Sequence, residues 1–132
     1  MTDFQGAVEQ AIFDQLCGRV TKGKVFQHVP DATSPPVVII ADVDWEDEGD
    51  KDAPLLLFSV TITSIIAGRS RKPLNALQTQ VRTALDRWKP ANTAAVAFGE
   101  ASVGSGTGQE VQAPSGPVWF GSQTVRLYAQ GI

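Results

Sequence analysis

The sequence predicts an α+β fold: two helices packed on one face of a mainly antiparallel or mixed sheet of about four to five strands. Three observations predict it. Apolar residues recur at helical spacing in two separate stretches, they alternate at strand spacing in at least four others, and the resulting order is α-β-β-β-α-β-β. Strands that come in groups, not in strict alternation with helices, favour antiparallel pairing over a parallel doubly wound sheet.

The first helix is predicted over residues 3 to 17. Phe4, Val8, Ile12 and Leu16 fall at spacings of four, flanked by Ala7 and Ala11, so one stripe faces the core. Thr2 with Gln5 fits a capping box, and Gly18 suits a left-handed stop. Lys24 to Val29 is a short strand candidate closed by Pro30. The polar run Asp31 to Pro36 follows, and its prolines cannot sit in a central ladder.

A second strand begins at Val37. Its odd positions Val37, Ile39, Ala41, Val43 and Trp45 stay apolar, whereas its even positions change from Val38 and Ile40 to Asp42, Asp44 and Glu46. This predicts a strand covered on both faces at one end and wet on one face at the other. Glu46 to Asp52 reads as a charged hairpin turn. In the next strand, Leu55 to Ile66, the even positions Leu56, Phe58, Val60, Ile62 and Ile66 form a buried face opposite Ser59, Thr61 and Thr63.

Pro73 opens the second helix, where a first turn tolerates it, and Leu74, Leu77, Val81, Leu85 and Trp88 mark its buried stripe until Pro90 stops the run. Ala94, Val96 and Phe98 suggest a strand within 93 to 103. Val118, Phe120, Val125 and Leu127 suggest another within 118 to 129. Between them, residues 103 to 117 are rich in Gly, Ser and Pro and predict a flexible loop.

The chain has 132 residues, the size of one domain, with 42% hydrophobic and 19% charged residues and a formal charge of −3. That balance argues against disorder and against strong generic affinity for nucleic acid. No apolar run approaches the roughly 18 to 20 residues of a membrane helix, and the start Met1-Thr2-Asp3-Phe4 lacks a signal-peptide pattern, so a cytoplasmic product is expected. One cysteine, Cys17, forms no internal disulfide and no multi-cysteine zinc site; it reads as a small buried hydrophobe. One histidine, His28, could act as a general base, but no nucleophile motif accompanies it.

Two further stretches imitate ligand sites. The segment from Asp42 to Asp52 holds seven of the fourteen acidic residues, but a calcium loop starting at Asp44 would place Leu55 where the bidentate Glu belongs. Gly104-Ser105-Gly106-Thr107-Gly108 lacks the Lys of a phosphate-binding loop, and no helix follows it. No catalytic, cofactor or metal residue is therefore assigned.

Charge offers a different kind of site. Gly68-Arg69-Ser70-Arg71-Lys72 is a basic turn at the start of helix 2, and the helix dipole adds to it. Asp47, Glu48 and Asp50 form an acidic tip at the far end of the same long strand, on the order of 35 Å away at 3.3 Å per residue. The separation suits head-to-tail contact between copies of the chain; the alternative is two solvated clusters on a monomer. Leu55, Leu57 and Ile65 are surplus apolar positions on the polar face of that strand, available to a partner.

The order of these features resembles the small tail-completion, or tail-terminator, proteins of long-tailed bacteriophages and related particles. The resemblance runs over residues 4 to 88. It rests on the initial helix, Gly18-Arg19-Val20 leading to Val25 through Pro30, Pro35-Pro36-Val37-Val38-Ile39-Ile40, the acidic hairpin, Leu57-Phe58-Ser59-Val60-Thr61-Ile62, then Gly68-Arg69 and a helix with Val81-Arg82 and Ala84-Leu85. It implies a non-enzymatic ring, commonly a hexamer, that caps the tail tube protein and presents its other side to connector or neck proteins. It also implies a place in the virion, with DNA passing through the lumen without specific binding. Asp42, Asp44 and Glu46 are the candidate lumen-facing residues, since an acidic wall would not retain phosphates. Another neck ring, a head-completion or stopper protein, is the alternative within that class. A small ligand-binding or hydrolytic domain using His28 and the acidic hairpin is the alternative outside it.

Overall fold

The computed structural model describes residues 2–28, 34–49 and 54–132. Helix α1 (Phe4–Arg19) is followed by β1 (Lys24–Phe26), β2 (Val37–Asp47) and β3 (Leu55–Ala67). Helix α2 (Lys72–Leu85) then leads to β4 (Val96–Phe98), β5 (Ser102–Ala113) and β6 (Gly116–Gly131). The six strands form one sheet in the order β1-β2-β3-β6-β4, with β5 also paired to β6. Every pairing is antiparallel except β1 with β2, so the sheet is mixed, and the predicted α+β class holds.

Both helices lie on one face of this sheet. Val8, Ile12 and Leu16 of α1 and Leu74, Leu77, Val81, Ala84 and Leu85 of α2 pack onto Phe58, Val60, Ile62 and Ile66 of β3 and Val125, Leu127 and Ala129 of β6. Strand periodicity leaves the alternate residues on an open face that, among the described residues, no helix covers.

The boundaries differ from expectation in physically specific ways. The cap of α1 is Asp3, whose Oδ1 accepts a 2.8 Å hydrogen bond from the Gly6 backbone N–H, not the expected Thr2. Gly18 does not end the helix; Arg19 is still helical and Val20 is extended. Strand β1 stops at Phe26, short of the expected Val29, which with Pro30 lies outside the described residues. Helix α2 ends at Leu85; Trp88 stays half-buried against the core from the turn beyond it.

The largest correction concerns residues 103 to 117, expected as a loop. Ser102 to Ala113 instead form β5, and the chain reverses through Pro114-Ser115 into β6. Gly116, directly after that two-residue connection, takes φ 122°, a conformation that favours glycine. Hydrogen bonding along β6 overrides the weak strand propensity of the Gly and Ser residues.

The apolar switch in β2 also has a different cause. The register with β3 shifts between Ile40 and Asp42, so Ala41 is the extra residue of a β-bulge. Before it, Val38 and Ile40 face the helices; after it, Val43 and Trp45 do, opposite Val60 and Phe58. One added residue exchanges the faces, which the sequence pattern presented as coverage on both sides.

Candidate functional site

Three surfaces carry the exposed chemistry: the open sheet face and the two ends of β3. On the open face, Asp42, Asp44 and Glu46 form one exposed row along β2. Asp44 is level with Ser59 on β3, which is level with Arg126 on β6 and through it with Ser102 on β5. A shallow depression of about 180 Å³ lies here, lined by Asp44, Glu46, Leu57, Ser59, Arg126 and Trp45.

Leu55, Leu57 and Ile65 are on this same face and half-buried, as the alternation requires. They do not form one patch. Leu57 lies between Glu46 and Tyr128, whereas Ile65 lies eight residues along, between Val37 and Phe120. The face is therefore apolar toward each end and polar in the middle, where Thr61, Thr63, Ser122 and Thr124 meet; Thr63 Oγ1 and Ser122 Oγ are 3.3 Å apart.

The acidic end is built where β2 meets β3. The Glu48 N–H donates to the Leu55 carbonyl at 2.8 Å, and Asp47 Oδ1 accepts from the Gly49 N–H at 2.9 Å. Asp50 lies outside the described residues. Tyr128 donates its hydroxyl to Glu48 Oε2 at 2.7 Å, tying this end to β6. That bond to Glu48, followed by local desolvation and the carboxylate charge, holds the Tyr128 phenol above its ordinary pKa. Tyr128 and Trp45 are large aromatics left well exposed beside these carboxylates.

The basic end follows Ala67 at the opposite end of β3. Gly68 turns the chain at φ 128°, and Arg69, Arg71 and Lys72 are all exposed. Arg71 is the residue before α2; its guanidinium carbon lies 4.8 Å from the Trp119 ring centroid. The thirteen residues of β3 thus separate the acidic and basic groups by on the order of 40 Å.

The remaining candidates lie apart from these surfaces. His28 is exposed beyond β1. Cys17 is exposed, not buried as expected, and local desolvation followed by the Asp14 carboxylate pushes its thiol pKa up, away from the reactive thiolate. Among the described residues, no three or more His, Cys, Asp or Glu side chains gather as a metal centre needs. No described helix is long and apolar enough to cross a membrane. Sequence reasoning missed Arg126 and Tyr128 as residues of this face, although both sit at even positions of β6 in phase with Phe120, and strand phase alone puts all three on one face.

No protein-family model matches the chain, and no curated protein does. Among solved structures, one chain described as "Virion of native gene transfer agent (GTA) particle" superposes with a TM-score of 0.84. The match covers 99% of this chain and 100% of that one, at 15% sequence identity. The two share a fold over essentially their whole lengths.

Proposed function

We propose that this chain is a structural protein of a phage or phage-like virion, which assembles into a ring that caps the tail tube and offers its other side to the head connector. The observation that carries the reading is the end-to-end fold likeness to a chain of a gene transfer agent virion particle. The residue order that resembles tail terminators points the same way independently.

The geometry supplies what such a part needs. A ring between two different neighbours presents two unlike rims, and here the acidic and basic groups occupy opposite ends of the long strand. Asp42, Asp44 and Glu46 share one open face, where they would repel phosphates if that face lines the channel. The chain acts by fitting and not by catalysis: its one thiol is biased toward the protonated form, and its one histidine is exposed past a short edge strand.

The test is removal of the chain from the system that encodes it, followed by electron microscopy. A terminator's loss yields tails of uncontrolled length. Normal tails detached from filled heads would instead indicate another neck ring, and intact particles would reject both.

A further inference from the structure

A cleft of about 570 Å³ opens at the basic end, on the helix side of the sheet. Pro35, Pro36 and Pro73 line it with Ile66 and Ala76, so much of its wall is apolar. Its charged groups are of one sign. Lys22, from the connection between α1 and β1, and Lys72, from the first turn of α2, both line it and are exposed, and among the described residues no carboxylate does. Residues 68–89 carry six Lys and Arg against one Asp, in a chain whose formal charge is −3. The positive charge is therefore concentrated on this side of the molecule.

The cleft is held in shape by bonds between the segments that form it. The Lys22 N–H donates to Gln80 Oε1 of α2 at 3.0 Å, and the Lys24 N–H donates to the Pro36 carbonyl at 3.1 Å. Gly23 lies so close to α2 that a Cβ there would sit 3.2 Å from Leu77. A preformed cleft of this size loses little conformational freedom when a segment enters it.

We propose that this cleft receives an acidic segment of the protein that abuts the basic rim of the ring. A carboxylate meets Lys22 and Lys72, and an adjoining apolar side chain sits on the prolines. Charge selects an anionic occupant, and the apolar wall selects protein over the phosphate backbone of DNA, which would leave that wall wet. A second copy of this chain is the less suitable occupant. Its acidic tip lies at the other end of β3, so copies joined that way would run end to end and use up both rims.

The inference rests on the ring reading above and names the partner chemistry of one rim. A carbodiimide joins an amine to a carboxylate only where the two touch, so it is applied to assembled particles and the linked peptides are identified by mass spectrometry. The expected result is isopeptide bonds from Lys22 or Lys72 to Asp or Glu of another virion protein, severalfold more abundant than any from Lys89, which lies outside the cleft. In particles made with Lys22→Glu and Lys72→Glu together, electron microscopy should show attachment at one rim reduced about tenfold or more, with attachment at the other rim kept. Lys89→Glu should behave as the unaltered chain, and circular dichroism checks that each variant is folded. Links only to a second copy, ultraviolet cross-links from the cleft to DNA, or normal attachment of the folded double variant would overturn the inference and leave the ring standing. Particles that are intact without the chain would overturn the ring reading itself.

Discussion

The guanidinium of Arg71 stacks over the indole of Trp119 at 4.8 Å, joining the residue before α2 to the start of β6. The contact sets the direction of the basic end, because it removes one of its three cations from free rotation. At a partly exposed site a cation–π contact is worth about 0.5–1 kcal/mol. Arg71→Ala should lower stability by about that amount in urea unfolding followed by circular dichroism. Arg71→Lys should recover part of it.

Adjacent residues of β3 face opposite environments. Phe58 is fully buried under the helices, while Leu57 is half-buried on the open face. Phe58→Ala should cost about 3–5 kcal/mol. Leu57→Ser should cost less than about 1 kcal/mol in the same unfolding measurement, yet weaken assembly if the open face is a contact surface.

The bulge at Ala41 allows Val43 and Trp45 to face the helices. Deleting Ala41 removes the extra residue and leaves Ile40 opposite Ile62 and Asp42 opposite Thr61 as consecutive pairs of one regular ladder, so every side chain keeps its face. The deletion should therefore leave the chain folded, with stability changed by less than about 1 kcal/mol in the same unfolding measurement. An unfolded or insoluble deletion variant would show that the ladder cannot close without the bulge.

Tyr128 is the chain's one tyrosine, so its ultraviolet titration is unambiguous. Its hydroxyl donates to Glu48 and its pKa lies above the ordinary phenol value. Stabilisation from this bond is complete below the ordinary tyrosine pKa of about 10 and is lost as pH rises through the raised value. Glu48→Gln should bring the titration midpoint back toward the ordinary value.

Cys17 gives a second pH-dependent readout. Although it is exposed, local desolvation and Asp14 push its thiol pKa up. A disulfide-exchange reagent should react with it slowly at neutral pH and faster as pH rises past the ordinary thiol value. Asp14→Asn should increase the neutral rate by removing the smaller of the two effects.

Both helices and the long strands were legible from periodicity, because the buried stripes of α1 and α2 and the even positions of β3 meet one continuous core. The bulge was not. A single inserted residue leaves composition unchanged and alters only phase, so β2 read as covered on two faces. Strand β5 was hidden for a different reason: Gly104, Gly106 and Gly108 carry little strand preference of their own, and β6 provides the pairing that extends them. The acidic and basic groups were legible as clusters, and their opposition along β3 followed from strand length. The bond from Tyr128 to Glu48 joins residues 80 positions apart and had no local signal.

The proposed function requires copies of this chain to close on one another around a tube. Electron microscopy of the purified chain mixed with tail tubes from its own system tests that requirement. A closed ring of several copies at one end of each tube is the expected result. Single copies that never associate with one another or with the tube would overturn the proposed function.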